Sequence, residues 1–161
     1  MTITRKVTVE RNRLRFAAAH MATFRGECEP LHGHNYDIIL ELEGDLTPDA
    51  WIWDFGELKR IVRGLVDQLD HKFLLQRASA VLAIEERERH WYVAFGERSY
   101  LFPKEDVAVL PIENTTAERI AEWLAERIVA AIRGAGAANI VKLTVGVEEM
   151  PGQAGWYTLD L

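Results

Sequence analysis

Alternation of side-chain type over residues 32–43 is the strongest constraint that this sequence places on its fold. One set of alternate positions holds His34, Tyr36, Ile38, Leu40 and Leu42, while the positions between them are mostly polar or charged. Side chains two apart on a strand share a face, so the segment predicts a β-strand with one face turned toward a core. If that strand begins by His32, then His32 and His34 point to the same side.

A candidate metal site accompanies this strand. His20 lies just upstream, at the expected end of an earlier strand, and Cys28 lies between His20 and His32. One histidine on an apolar strand face is usually a core residue, but two on one face, with a third nearby, favour a metal site. Three imidazole ligands leave a fourth coordination position open, which is typical of catalytic rather than structural zinc. The sequence therefore predicts that His20, His32 and His34 bind Zn²⁺.

The first half of the chain reads as two strands followed by a helix. Period-two patterning predicts one long strand, or a bent pair, over about residues 2–19, and a further strand over about 32–43. Asp54 is suited to cap a helix that has Glu57 in its first turn. Apolar residues then recur at helical spacing, at Leu58, Ile61, Val62, Leu65, Val66 and Leu69.

The second half repeats this pattern in reverse order. A helix is predicted from Thr115 to Gly134, and strands follow at about residues 141–147 and 156–161. The order ββα–αββ predicts an α+β fold in which an antiparallel four-stranded sheet carries both helices on one face. Between the halves, an insertion at about 78–111 contains a predicted hairpin at 91–102.

Composition limits the class of protein. The chain has 161 residues, which predicts a single domain, 1–161, and a net charge of −6, which argues against a nucleic-acid partner. No apolar run approaches the roughly 20 residues that span a bilayer, and the N-terminus lacks the features of a signal peptide. The one cysteine fits a reducing compartment. We therefore expect a cytoplasmic protein with no membrane partner.

Several short signatures along the chain resemble one known family. They are Phe16-Ala-Ala-Ala-His20, Cys28-x3-His32-Gly-His34-Asn-Tyr36, Trp53-Asp54-Phe55 with Leu58-Lys59, Leu69-Asp70-His71-Lys72, Thr116-Ala-Glu118, and Glu149 ahead of Tyr157. In this order, and nearly end to end, they are similar to the 6-pyruvoyltetrahydropterin synthase and 6-carboxytetrahydropterin synthase family. The resemblance implies the tunnelling fold, whose sheets join around a symmetric homotrimer that often stacks as a homohexamer.

The same resemblance implies a zinc-dependent lyase that acts on a small pterin, 7,8-dihydroneopterin triphosphate or a close derivative. Cys28 matches the family's general base, and Asp70 with His71 matches a second proton-transfer pair. The plainer interpretation of that pair is that His71 is an exposed histidine at a helix end, near the helix dipole, with no catalytic role.

The resemblance also implies how the pterin is held. Glu149 matches the carboxylate that accepts two N–H bonds from the pterin, although Glu148 competes for this role. Thr116 and Glu118 match positions that line the pterin pocket. Glu118 is equally explained as part of a capping box with Thr115.

One departure from the family pattern leaves the reaction open. Cys28 is flanked by Glu27 and Glu29, and like charge beside a thiol raises its pKa. A glutamate at the position of Glu29 resembles the branch that cleaves the side chain to give 6-hydroxymethyl-7,8-dihydropterin for folate synthesis. The spacing from Cys28 to His32 instead matches the carboxytetrahydropterin branch of 7-deazaguanine (queuosine) synthesis. Either Cys28 or Glu29 could be the main base.

Further alternatives concern the whole chain and its insertion. A non-catalytic pterin- or purine-binding homologue would have reason to keep Glu149 but little reason to keep Cys28, Asp70 and His71. A generic zinc hydrolase is disfavoured because the sequence has no His-Glu-x-x-His motif. The long middle section is interpreted as an oligomer contact or surface elaboration, with a lid over the site as the alternative.

Overall fold

Eleven strands and two helices make up the described part of the chain, residues 3–161 of a computed structural model, with the side chains of residues 11–13 left aside. The strands are β1 (Arg5–His20), β2 (Thr23–Phe24), β3 (Glu27–Cys28), β4 (His32–Gly44), β5 (Lys72–Gln76), β6 (Ala83–Glu86), β7 (His90–Phe95), β8 (Arg98–Pro103), β9 (Val107–Leu110), β10 (Ile140–Met150) and β11 (Gln153–Asp160). The helices are α1 (Phe55–Val66) and α2 (Ala117–Gly134). Thr2, at the start of the predicted first strand, lies outside the described residues.

The main sheet has six strands, in the order β11-β10-β4-β1-β5-β9. Strands β1, β4, β10 and β11 pair antiparallel as predicted, but β5 pairs parallel with β1, and β9 pairs parallel with β5. The α+β class is confirmed, and the prediction of four strands in a purely antiparallel sheet was wrong. The two missed strands are short, and β5 is buried along nearly its whole length, so neither shows the alternation of a half-buried strand.

Both helices share one core with the sheet and contact each other. The Asp54 carboxylate caps α1 by accepting the N–H of Glu57 at 2.7 Å, as the sequence predicted. The predicted capping box of α2 was wrong, because Thr116, rather than Thr115, accepts the Arg119 N–H. Neither helix is long and apolar enough to cross a membrane, within the residues described.

Pairing between β1 and β4 sets the geometry at one end of the sheet. The register is interrupted between Glu10 and Arg15 and then continues regularly to the end of β1. Along this second stretch Ala18 lies opposite His34, and His20 lies opposite His32. The paired ends of these two strands therefore bring the predicted metal ligands together.

A close approach between β11 and α2 shapes the same end of the molecule. Gly155 is buried, and a Cβ at this position would lie 2.4 Å from the backbone nitrogen of Glu118. Such contacts are shorter than real Cβ atoms make, so glycine is required for β11 to pack against the start of α2 at this distance. The close contact holds Thr116 and Glu118 beside the end of the sheet.

The middle section forms a second, three-stranded sheet, in the order β6-β7-β8. Strands β7 and β8 are joined through a turn in which Gly96 has φ +57°, which corresponds to the predicted hairpin. This sheet encloses a second hydrophobic core, made of Met21, Cys28, Phe73, Leu75, Leu82, Trp91 and Val93. Within the predicted insertion of 78–111, β9 returns to the main sheet.

Candidate active site

Three histidines converge where β1 ends and β4 begins. One nitrogen from each of His20, His32 and His34 lies within 4.8 Å of the others. The Nε2 atoms of His20 and His32 are 3.1 Å apart, and Nε2 of His34 is buried without a hydrogen-bond partner among the described residues. The structure thus brings together the three residues that the sequence predicts as metal ligands.

Backbone carbonyls fix the ring nitrogens that face away from the cluster. His20 Nδ1 lies 2.9 Å from the Thr115 carbonyl oxygen, and His32 Nδ1 lies 2.8 Å from the Pro30 carbonyl oxygen. A carbonyl oxygen only accepts hydrogen bonds, so both Nδ1 atoms carry the proton. In the neutral rings, both Nε2 atoms then turn lone pairs toward each other. Because facing lone pairs repel, this arrangement fits a cation held between them.

Burial favours the uncharged forms of His20 and His34. The pKa of His20 is lowered to about 4, mainly by burial and also by the neighbouring His32 and His34, against the opposing effect of the Thr115 hydrogen bond. The pKa of His34 is lowered by burial and then by His32. Metal ligands must be neutral imidazoles, so the lowered pKa values of His20 and His34 favour metal binding. Imidazole donors suit zinc, copper, iron and nickel.

A buried polar chain supports His20 from behind. The Thr115 hydroxyl donates to Gln76 Oε1 at 2.8 Å, and Gln76 Nε2 donates to the Met21 carbonyl at 3.0 Å. Gln76 and Thr115 have no exposed surface. Such outer partners orient a metal-binding histidine. Sequence reasoning missed Gln76, whose only signal is a glutamine that ends a short apolar run.

A cavity of about 570 Å³ opens beside the three histidines. It is lined by the histidines, by β11 residues around Gly155, and by the carboxylate and hydroxyl residues Glu29, Thr116, Glu118 and Glu149. Its volume suits a small organic molecule. Four of the seven residues predicted for catalysis or substrate binding therefore lie around one cavity with the candidate metal ligands.

The side chains of Glu149 and Glu148 lie in different surroundings. Glu149 is half-buried on the cavity wall, and its pKa is raised by burial first and then by the nearby Glu118. The Glu148 carboxylate instead accepts the N–H of Gly152 at 3.0 Å, in the turn between β10 and β11. Glu149 is thus the carboxylate available to a ligand.

Glu29 and Cys28 also face different surroundings. Glu29 lines the cavity, with Oε2 at 3.9 Å from His32 Nε2. Cys28 belongs to the second core, and its thiol donates to the Glu29 carbonyl at 3.3 Å. Burial raises the pKa of the Cys28 thiol against the opposing charge of Arg98. Of the two candidate bases, the structure places only Glu29 on the cavity.

The Asp70–His71 pair is rigidly anchored but borders a different cavity. Asp70 Oδ2 lies 3.0 Å from His71 Nδ1, while Oδ1 accepts the N–H of Ala17 at 2.8 Å. That hydrogen bond from Ala17 is the largest effect that lowers the pKa of Asp70. His71 has φ +58° and is largely exposed beside a cavity of about 510 Å³, which His34 also borders. Within one chain, the pair does not join the residues around the first cavity.

Comparison with known proteins gives one consistent picture. The sequence matches the 6-pyruvoyl tetrahydropterin synthase family over residues 8–160. A Methanocaldococcus jannaschii protein, provisionally named 6-carboxy-5,6,7,8-tetrahydropterin synthase, is 34% identical over 145 residues, which is 89% of each chain. A Pyrococcus furiosus dihydroneopterin monophosphate aldolase is 28% identical over 116 residues, which cover 72% of this chain and 70% of that protein.

Structural comparison agrees with the sequence matches. The crystal structure of Plasmodium vivax 6-pyruvoyltetrahydropterin synthase superposes with a TM-score of 0.92 at 30% identity. The match covers 99% of this chain and 100% of that one. The predicted tunnelling fold is confirmed.

Replacement of His32 by alanine tests the metal site. We expect the parent to bind one divalent metal ion per chain at this cluster, and the variant to lose affinity by at least about 100-fold, since even an outer hydrogen-bond partner contributes about 10–100-fold. Elemental analysis and competition with a chromophoric chelator measure both quantities. His90→Ala, on β7 outside the cluster, is the control. Parent-like metal content in the His32 variant would contradict the assignment.

Proposed function

Because this chain belongs to the 6-pyruvoyl tetrahydropterin synthase family, we propose that it is a zinc-dependent lyase that acts on 7,8-dihydroneopterin triphosphate or a close derivative, with Glu29 as its base. Family membership makes the protein a lyase-type enzyme of pterin metabolism. The observation that carries the more specific proposal is the shared cavity, in which Glu29 lies beside three imidazoles while Cys28 lies in a separate core.

The proposed metal is zinc, held by His20, His32 and His34. When bound, Zn²⁺ would act as a Lewis acid that acidifies hydroxyl and C–H groups of the substrate side chain. Three histidine ligands leave a coordination position for that side chain. The carbonyls of Thr115 and Pro30 hold two of the rings in the tautomer that ligation needs.

Glu149 is the proposed anchor for the pterin ring. Two adjacent N–H groups on the amino-pyrimidine edge fit the two oxygens of one carboxylate. Glu149 is half-buried, so water competes less for these hydrogen bonds than it would at an exposed site. Thr116 and Glu118 line the same cavity and complete the polar wall.

The position of Glu29 favours cleavage of the substrate side chain. A carboxylate can accept the proton of the second side-chain hydroxyl while the bond between the first and second side-chain carbons breaks. The second carbon becomes an aldehyde, and the electron pair remains on the first carbon, where the pterin ring delocalises it until a proton is added. The products are 6-hydroxymethyl-7,8-dihydropterin and an aldehyde. In the Plasmodium vivax synthase, the substitution of a glutamate by alanine is described as a mutation of a catalytic residue.

A second candidate reaction forms 6-carboxytetrahydropterin. It is favoured by the spacing from Cys28 to His32 and by relatives with that name, including the Haemophilus influenzae enzyme at 31% identity over 109 residues. This route assigns the base to Cys28. Burial and the raised pKa of the Cys28 thiol disfavour it in this chain.

A product assay distinguishes these reactions. Zinc-loaded protein is incubated with 7,8-dihydroneopterin triphosphate, and the released pterin is identified by chromatography. We expect 6-hydroxymethyl-7,8-dihydropterin, loss of turnover on zinc chelation, and a kcat at least about 100-fold lower in Glu29→Gln, since general bases contribute about 10²–10⁴-fold. Cys28→Ala is the matched control and should retain kcat within about threefold if Cys28 is not the base. Carboxytetrahydropterin as product would favour the second candidate, and tight pterin binding without product would favour a non-catalytic binder.

The neighbouring glutamates provide a matched test of pterin anchoring. Glu149→Gln replaces one acceptor oxygen with a donor, and we expect pterin binding to weaken by about 10–100-fold, since hydrogen bonds to charged groups contribute about 1.5–3 kcal/mol. Glu148→Gln keeps an oxygen that can accept the Gly152 N–H and should bind pterin like the parent. Calorimetry with a pterin measures both, with zinc content as the control for folding. Equal effects of the two substitutions would contradict the assignment.

We also propose that the protein assembles as a homotrimer or homohexamer. Among the described residues, the outer strands β9 and β11 of the main sheet each have one unpaired edge, and Val109 and Trp156 on these strands are exposed. An assembly could also bring the Asp70–His71 pair of one chain to the first cavity of another, as a second proton-transfer pair. Sedimentation at several protein concentrations should give a mass of three or six chains, and a monomer would contradict the proposal.

A further inference from the structure

The segment that carries Glu29, residues 23–31, has little secondary structure of its own. Strands β2 and β3 share only two residue pairs, Thr23 with Cys28 and Phe24 with Glu27. The turn between them has positive φ at both Arg25 and Gly26. Because so short a hairpin is marginal by itself, residues 23–31 depend on contacts with other elements for a fixed position.

Hydrogen bonds to Ala22 and Asn114 hold the backbone of this segment. The Glu29 N–H donates to the Ala22 carbonyl at 2.9 Å. The Asn114 side chain accepts the Thr23 N–H and donates to the Thr23 carbonyl, which fixes the first strand of the hairpin. Neither contact reaches the carbonyl groups of Cys28 and Glu29, which face the second sheet.

Arg98, at the start of β8, supplies hydrogen bonds to those two carbonyl groups. Its Nη2 atom donates to the Cys28 carbonyl at 2.6 Å, and its Nη1 atom donates to the Glu29 carbonyl at 3.2 Å. The planar guanidinium is well suited to two adjacent acceptors. Among the described side chains Arg98 has no carboxylate within ion-pair distance, and its charge also lies 5.5 Å from the centre of the Phe95 ring. Both terminal nitrogens are therefore committed to the segment that carries Glu29.

We propose that Arg98 is a positioning residue, which acts through the backbone of Glu29 to hold its carboxylate beside His32. This inference rests on the proposed function, because it assumes that Glu29 is the base. The middle section then contributes to the active site, because its hairpin carries Arg98, whose guanidinium holds the backbone of Glu29.

The position of a base matters more than its presence alone. Misplacement of a reacting group by about 1 Å can cost about 100-fold in rate. Loss of Arg98 leaves the Glu29 side chain intact but removes two of the hydrogen bonds that fix its backbone. The expected signature is a lower kcat with little change in KM, because Glu149, Thr116 and Glu118 still bind the pterin.

A double-mutant cycle tests whether Arg98 acts through Glu29. We expect Arg98→Met to lower kcat by about 10–100-fold with KM within about threefold, and Arg98→Lys to recover part of the loss. In a Glu29→Gln background, Arg98→Met should lower the residual rate by less than about twofold. An equal loss of rate in both backgrounds would overturn the inference, because Arg98 would then act independently of Glu29.

Arg87→Met is the matched control for these variants. Arg87 belongs to the same inserted sheet region, pairs with Glu85 and lies over the Tyr92 ring, and among the described residues it makes no contact with the segment around Glu29. It should leave kcat and KM at parent values. A rate loss equal to that of Arg98→Met would indicate a general effect of the inserted sheet and would overturn the specific role of Arg98.

Thiol labelling supplies a readout that does not depend on activity. Cys28 is the single cysteine of the chain and lies in the segment that Arg98 holds. At temperatures well below the unfolding transition, we expect Arg98→Met to raise the rate at which Cys28 is labelled by about tenfold or more, through local opening. Arg87→Met should leave this rate unchanged. Absence of product from the parent would reject the proposed function, whereas unchanged labelling in Arg98→Met would reject the inference whatever the activity.

Discussion

The antiparallel register between β1 and β4 is the constraint on which the rest of this structure depends. It places Phe16 opposite Tyr36, Ala18 opposite His34 and His20 opposite His32. A shift of one residue would turn the alternating side chains of β4 to the opposite face and separate the histidines. The Tyr36 ring stacks on Phe16 at 4.8 Å and lies 5.4 Å from the His34 ring. The candidate metal cluster is thus a continuation of the hydrophobic core, and the same packing that stabilises the sheet also orients the histidines.

The parallel strands on the far side of β1 add the second layer of support. Gln76, at the end of β5, joins Met21 and Thr115 by hydrogen bonds, and the Thr115 carbonyl in turn accepts the His20 N–H. Polar groups in such a buried chain are costly unless every member has a partner. The orientation of His20 is therefore coupled to the packing of β5 and to the start of α2, two elements far apart in the sequence.

The sequence predicted correctly those parts of the fold that depend on residues only a few positions apart. The alternation of residues 32–43 and the Asp54 cap were read correctly, because the side chains involved are a few positions apart. The cap of α2 was assigned to the wrong threonine. Thr115 and Thr116 have nearly the same local spacing, and only the contact between Thr115 and Gln76 decides between them. The strand β5 was missed because a short, fully buried run carries no alternation.

The choice between Cys28 and Glu29 could not be made from the sequence for a related reason. Neighbouring residues in extended backbone point to opposite sides, so this segment can turn only one of the two toward the imidazoles. Which one it turns depends on what covers the other side, and here the second sheet provides an apolar core for the thiol with Met21 and Trp91. That core raises the pKa of Cys28 by burial, and the hairpin that builds it also carries Arg98. The inserted sheet and the proposed carboxylate base are therefore physically coupled, because the same layer that buries the thiol leaves Glu29 facing the candidate metal ligands.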